Sequence, residues 1–124
     1  MKDYKLRRIL SKFRLSNHVL EIEKGRHRNM KRHERLCPFC KNNEESEIHF
    51  VIKCPIYANL RKQYLTLIPS DNPMNDWDKC ITVLESNEIN SIARFLYEAF
   101  KCREYHLEVV QVIDELINNI KQFS

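Results

Sequence analysis

Residues 37–55, CPFCKNNEESEIHFVIKCP, contain three of the five cysteines in the chain and one of its five histidines. Their spacing is Cys37-x2-Cys40-x8-His49-x4-Cys54. Three thiolates and one imidazole form one of the tetrahedral ligand sets of structural zinc sites. The stretch therefore predicts a zinc site with these four residues as ligands. Because protein atoms would fill every position, the ion would be structural and would hold no reactive water.

The separation between His49 and Cys54 constrains the backbone between them. Five residues along an ideal α-helix turn through about 500°, which would leave these two side chains roughly 140° apart. They can share an ion only if the helix ends before Cys54. Pro55 disfavours a helical conformation at Cys54 and suits the first position of a following helix. Ser46 is a suitable cap for a short turn that carries His49.

Two other interpretations of the cysteines remain open. They could be buried hydrophobic residues with no ligand, as free cysteines often are. Alternatively, Cys-Pro-Phe-Cys resembles the active site of glutaredoxins, although that chemistry requires a strand–helix–strand setting that the sequence does not suggest. Four such residues within eighteen favour zinc. Cys80 and Cys102 lie among apolar helical positions and are predicted to be reduced thiols of the core.

Apolar residues recur mainly at helical spacing, so we predict a mainly α, zinc-stapled single domain of about six helices over residues 1–124. It divides into a basic helix and arm (1–36), a zinc module (37–68) and C-terminal helices (69–124), with a turn at 69–73 and a short β-hairpin at 35–40. Ser16 is expected to cap a second helix that Gly25 ends, and Asn75 to cap a later helix. The apolar face of the last helical stretch is interrupted near 101–105, where the sequence leaves a break and a bend both open. With Gly25 as the single glycine, dinucleotide and P-loop sites are excluded.

Positive charge is concentrated in the first half of the chain. Residues 1–62 hold sixteen Lys or Arg against seven Asp or Glu, a net charge of +9, whereas residues 63–124 have a net charge of −5. The most basic stretch is an arm at 24–35, whose cations are Lys24, Arg26, Arg28, Lys31, Arg32 and Arg35. They could each neutralise a phosphate of RNA or DNA. Alternatively, the two halves neutralise one another by packing.

The stretch HERLCPFCKNNEESEIHFVIKCPIYANLRKQYL, from residue 33 onward, resembles the zinc-binding domain that follows the polymerase in non-LTR retrotransposon reverse transcriptases. That family has C-P-x-C, an acidic polar loop, E-x-H-x4-C-P and a helix containing Leu-Arg. The matching residues include Glu47, Pro55, Leu60 and Arg61 as well as the four ligands. The likeness extends more weakly over residues 12–104.

The resemblance implies nucleic-acid binding beside a polymerase, in a module that is detached, a C-terminal fragment or a domesticated remnant. An enzyme is not expected, because no polymerase metal-binding pair and no nucleophile–base pair occur. An alternative role is protein interaction or oligomerisation through the acidic helices at 88–122, with the strip from Leu107 to Ile120 as the candidate contact. No signal peptide or membrane span is recognisable, so we expect an intracellular protein, nuclear or cytoplasmic.

Overall fold

The computed structural model describes residues 3–66 and 73–122, and within these ranges the fold is built from five α-helices. The helices are α1 (Asp3–Arg14), α2 (Glu21–His27), α3 (Ala58–Tyr64), α4 (Asp76–Glu85) and α5 (Ile89–Gln122). Between them lie 3₁₀ turns at Arg32–Glu34 and Pro55–Tyr57, and a π-turn at His49–Lys53.

The mainly helical fold predicted from the sequence is confirmed. No strand occurs in the described ranges, and the hairpin expected at 35–40 is reduced to one antiparallel bridge between Leu36 and Glu44. The predicted turn at 69–73 lies largely outside the described residues, as does the boundary drawn after residue 68.

The core lies where α1 and α3 pack against the first half of α5, and where α4 packs against the π-turn. At its centre is Phe50, whose side chain is fully buried. The Phe50 ring centroid lies 4.6 Å from that of Phe100 and 4.7 Å from that of Tyr57. Burying such a side chain stabilises the fold by about 1.5–3 kcal/mol. Because Phe50 follows His49 directly, the same packing fixes the backbone that carries the imidazole.

The region around α2 differs from the prediction. Ser16 does not cap the helix: its φ is 57° and its hydroxyl donates to the Glu47 carboxylate at 3.1 Å. Gly25 does not end the helix but lies inside it, where a Cβ atom would meet Cγ of Arg35 at 2.4 Å. Glycine is therefore required at this position for the close approach of Arg35 and not for a turn.

The prediction for the C-terminal helices is partly right. Asn75 caps α4 as expected, since its side-chain oxygen accepts a hydrogen bond from the Asp78 amide at 2.8 Å. Of the two possibilities left open near 101–105, a break does not occur, because α5 runs as one helix of 34 residues. Despite this length, neither α5 nor any other helix in the described part of the chain is apolar enough to cross a bilayer.

Candidate metal centre

The four predicted ligands converge on one point. One ligand atom from each of Cys37, Cys40, His49 and Cys54 lies within 4.8 Å of all the others. The Sγ atom of Cys54 is 3.6 Å from that of Cys40 and 4.0 Å from that of Cys37. Three of the four side chains are buried and Cys40 is half-buried. The arrangement is compatible with a metal site.

A tight loop presents the first two sulfurs. The Lys41 amide donates to the Cys37 carbonyl at 2.9 Å, which closes the turn, and the Cys37 amide donates to the Asn43 carbonyl at 2.8 Å. The chain reverses at Lys41, whose φ is 63°. These bonds form the knuckle that the C-x2-C spacing predicts, and both sulfurs lie on its inner side next to Cys54.

The second pair of ligands is carried by the π-turn. The Cys54 amide donates to the His49 carbonyl at 2.7 Å, an i→i+5 bond that spans five residues where an α-helix spans four. This wider turn brings residues 49 and 54 to nearly the same side. Cys54 itself is extended, with ψ of 125°, directly before Pro55. Ser46 accepts from the His49 amide at 3.2 Å, so the predicted cap and helix end are confirmed. The π-turn itself is not predicted by the spacing of these residues.

The imidazole of His49 is buried without a hydrogen-bond partner in the described part of the chain. Its side chain is 4% exposed, and neither ring nitrogen has a hydrogen-bond partner among the residues that the structure describes. Buried polar atoms are almost always paired, because the loss of water otherwise costs about 1–3 kcal/mol. A cation held between the imidazole and the three sulfurs would supply the missing partner.

The thiols also favour a cation. A hydrogen bond from Cys54 lowers the pKa of Cys37 to about 3, and the same bond, together with burial, raises the pKa of Cys54. Burial raises the pKa of the Cys40 thiol. A dication between the sulfurs would lower the pKa of all three thiols, because its charge stabilises each thiolate.

A buried ion pair that the sequence analysis missed supports the loop between the ligand pairs. Glu45 is 1% exposed and Arg103 is 3% exposed. The guanidinium of Arg103 donates to both carboxylate oxygens of Glu45, at 2.7 and 2.9 Å. Glu45 also accepts from the Glu21 amide at 2.8 Å. The loop between Cys40 and His49 is therefore bonded to both α2 and α5 and does not merely cross the surface.

The position of Arg103 along its helix indicates, from the sequence, that its side chain needs a buried partner. Arg103 follows Ile92, Leu96 and Ala99 at spacings of four, three and four residues, which places it on the buried face of α5. A charge on such a face needs a partner. The sequence does not reveal which acidic residue is this partner. The loop before His49 alone offers three candidates, at positions 44, 45 and 47.

Two residues that carry the family resemblance have structural roles beside the ligands. Glu47 accepts from the Ser16 hydroxyl and is bonded to the His18 ring at 2.9 Å, and the bond from His18 lowers the pKa of Glu47. Arg61 donates to the carbonyls of Val51 at 2.7 Å and Phe50 at 3.2 Å. These carbonyls belong to the π-turn, so Arg61 stabilises the unusual backbone that brings the two later ligands together.

The remaining cysteines lie outside the cluster. Cys80 is 4% exposed, which confirms its predicted place in the core, and burial raises the pKa of its thiol to about 11. Cys102 is half-buried, with its sulfur 3.4 Å from Nδ1 of His106. The His106 ring in turn packs edge-on against Phe39 with centroids 5.8 Å apart, so Phe39 covers the knuckle from inside.

The residues of the basic arm are not equally available. The exposed ones are Arg26, Arg28, Lys31 and Arg32, and Lys24 is half-buried. Arg35 differs, because its guanidinium donates to the carbonyl of Met30 at 2.8 Å and to that of Ile22 at 3.1 Å. Arg35 thus fastens the arm to α2, and its nitrogens are partly used within the fold.

Carboxylates neutralise two of the exposed arginines. Arg26 pairs with Glu23 at 2.7 Å, and Arg32 pairs with Glu44 at 3.0 Å. Within the described ranges, Arg28 and Lys31 have no ion-pair partner. His27 and His33 are exposed and lie outside the metal cluster.

An open groove of about 260 Å³ lies beside the arm, between the end of α1, the loop that precedes the π-turn, and α4. Its lining includes Arg14, Arg32, Trp77 and Ile81, together with the Glu47 carboxylate. Trp77 is 61% exposed although it is the largest apolar side chain of the protein. The groove thus combines an aromatic face with two guanidinium groups, one of which donates to the Leu84 carbonyl at 2.7 Å.

Comparison with protein-family models, curated proteins and solved structures finds no match for this chain. The geometry of the cluster and of the basic surface therefore carries the functional argument. The resemblance to the retrotransposon zinc-binding domain stays a prediction from the motif.

Proposed function

We propose that the chain holds one structural Zn²⁺ and uses the basic surface beside it to bind nucleic acid. A tetrahedral zinc with bonds of about 2.3 Å to sulfur separates its sulfur ligands by about 3.8 Å. The separations of 3.6 and 4.0 Å around Cys54 fit that value. The unpartnered imidazole of His49 is the observation that best supports a bound ion. Since protein atoms fill four positions, the ion would stabilise and not catalyse.

The zinc would also anchor the basic arm. Cys37 follows the arm directly, the Glu45 amide donates to the Arg35 carbonyl at 2.9 Å, and Arg35 is fastened to α2. Both ends of the arm are therefore attached to rigid elements. An anchored arm loses less conformational entropy when it binds a partner than a free one does.

Nucleic acid is the partner that the charge favours. Arg28 and Lys31 are exposed cations with no carboxylate beside them in the described ranges, and this single observation carries the proposal. The motif's resemblance to the zinc-binding domain of non-LTR reverse transcriptases supports the same role. Contacts to phosphates would give little sequence preference and a steep dependence on salt. The proposed role is binding and not catalysis.

The groove that holds Trp77 supports single strands over duplex. An exposed indole offers a stacking face for an unpaired base, and Arg14 and Arg32 line the same groove. A base paired within a duplex cannot reach such a face. We therefore expect single-stranded RNA or DNA to bind more tightly than duplex of the same length.

Reversing the charge of the arm tests the binding proposal. In the triple variant Arg28→Glu, Lys31→Glu, Arg32→Glu, we expect affinity for a fluorescent single-stranded RNA to fall about tenfold or more. The slope of log K against log salt concentration should also become shallower by about 2, because three contacts at roughly 0.7 each are lost. Fluorescence anisotropy over a salt series measures both quantities.

The matched control reverses three lysines elsewhere, at Lys62, Lys79 and Lys101, which changes the net charge by the same amount. It should keep most of the affinity and the original salt slope. If both triple variants weaken binding equally, the effect belongs to net charge and the arm has no special role. If the wild type binds no RNA or DNA at low salt, the proposed function is wrong.

Trp77 is the only tryptophan in the chain, so its fluorescence reports directly on the groove. We expect single-stranded oligonucleotides to quench this emission. Trp77→Ala should weaken single-strand binding by about 1–3 kcal/mol, the usual range for a base stacked on an aromatic ring, and Trp77→Phe should restore much of it. Tyr105→Ala is the control, because Tyr105 is as exposed on the outer part of α5. Unchanged emission on binding would exclude stacking at this residue.

A further inference from the structure

Helix α5 extends well beyond the rest of the fold. Its buried residues end at Arg103 and its half-buried residues end at Val110, whereas residues 111–122 are all exposed. At 1.5 Å per residue, the stretch 107–122 projects by about 24 Å. An isolated helix of this length is marginal in water unless another surface covers it.

The projecting stretch carries a continuous apolar face. The exposed apolar side chains, between 36% and 68% accessible, are Val109, Val112, Ile113, Leu116, Ile117 and Ile120. With 100° per residue, these side chains and Val110 fall within an arc of about 160°, and the polar residues occupy the other side. We call this set the apolar face of α5. Such a face is typical of a helix that packs against a partner.

We propose that a second copy of this chain covers the apolar face of α5, through antiparallel pairing of the two projecting helices. Val109, Ile113, Leu116 and Ile120 follow one another at spacings of four, three and four residues, the pattern of a seam between two helices. If the pairing is centred between residues 114 and 115, Val109 faces Ile120 and Ile113 faces Leu116. Two-fold symmetry repeats both contacts, so each seam residue meets an apolar one.

Charge favours the antiparallel arrangement. No charged residue interrupts the apolar face, so pairing opposes no like charges across the seam. The first 62 residues of each copy have a net charge of +9. Parallel pairing would bring these basic halves side by side, whereas antiparallel pairing keeps them at opposite ends of the paired helices.

The size of the face fits a weak dimer. From their exposed fractions, the six side chains present about 500 Å² of accessible surface, within the range of functional patches on single chains. Two such faces would bury about 1,000 Å², near the lower limit for a specific interface. We therefore expect dissociation in the micromolar range.

A membrane surface fits this stretch less well. Its charged residues are Glu108, Asp114, Glu115 and a single basic residue, Lys121. Helices that lie on anionic bilayers are instead rich in Lys and Arg on their polar face. If the chain stays monomeric in the experiment below, a different protein that offers an apolar helix becomes the better candidate for the partner.

Sedimentation equilibrium of the full chain in the presence of zinc tests self-association. Chain concentrations between about 1 and 500 µM span the micromolar dissociation constant expected for a small interface. We expect a monomer–dimer equilibrium for the wild type. Ile113→Glu with Leu116→Glu should weaken the dimer at least tenfold. The control, Gln111→Glu with Asn118→Glu on the polar face, adds the same charge and should leave dimerisation unchanged. Circular dichroism at 222 nm checks that both variants keep their helices.

Cysteine cross-linking tests the orientation. In an antiparallel pair, Val109→Cys with Ile120→Cys should form intermolecular disulfides, whereas Ile120→Cys alone should not. Efficient cross-linking by Ile120→Cys alone would show parallel pairing and overturn the arrangement. A wild type that stays monomeric at 500 µM, or a glutamate variant that still dimerises, would overturn self-association through α5. Neither result depends on whether the chain binds nucleic acid.

Discussion

Cys54→Ser is expected to lose the bound metal and to lower the free energy of unfolding by more than about 3 kcal/mol. Cys54 is fully buried and its sulfur contacts those of Cys37 and Cys40, so no other residue can replace it. Structural zinc in finger peptides has apparent binding free energies of about 10–16 kcal/mol, and that energy stabilises the folded state. Elemental analysis of the purified chain and urea unfolding in zinc-containing buffer measure the two effects.

Cys102→Ser is the matched control, because Cys102 is a half-buried cysteine outside the cluster. This variant should keep one zinc per chain and nearly the wild-type stability. Cobalt substitution adds a spectroscopic test, since three thiolate ligands should give strong charge-transfer absorption that Cys54→Ser lacks. A Cys54→Ser protein that retained one tightly bound zinc would contradict the ligand assignment. If a chelator left the urea unfolding curve of the wild type unchanged, the proposal that the metal stabilises the fold would be wrong.

The second large effect is expected at the buried ion pair. Arg103→Ala removes the partner of Glu45 and leaves a carboxylate in a site with almost no exposure to water. Breaking one side of such a pair costs about 3–5 kcal/mol, because the remaining charge is neither hydrated nor compensated. We expect a loss of that size in urea unfolding with zinc present throughout.

A double variant separates the uncompensated charge from lost packing. Glu45→Gln with Arg103→Met removes both charges, keeps an oxygen for the Glu21 amide and retains most of the buried volume, so much of the lost stability should return. Arg94→Ala, a half-buried arginine on the same helix with no ion pair in the described ranges, controls for shortening an arginine. Equal losses in Arg94→Ala and Arg103→Ala would mean that the pair contributes nothing special.

The ligand set could be predicted from the sequence because it depends on local spacing. C-x2-C requires only a tight turn, and Pro55 marks where the helix before Cys54 must end. The π-turn could not be foreseen, because its i→i+5 bond depends on packing around Phe50 and on the two carbonyls that Arg61 binds. Local propensity favours an ordinary helical turn there.

The basic arm illustrates a different limit. Composition alone identified six cations as equivalent candidates for phosphate binding. The structure distinguishes them, because Arg35 is bonded to two carbonyls of the fold while Arg28 and Lys31 have no ion-pair partner within the described ranges. These differences arise from residues that the arm meets only after folding, such as Ile22 and Glu44, and no pattern within residues 24–35 contains them.

The sequence by itself determined the helical class, the four residues of the Cys/His cluster and the location of the positive charge, since each follows from residue type and short-range spacing. Only the tertiary structure decided that Glu45 and Arg103, 58 positions apart, form a buried pair, and that α5 continues past the core with its apolar face uncovered. The reason is physical. The same helical periodicity describes a face that packs inside the protein and one that projects into water, and only the arrangement of the other helices distinguishes them.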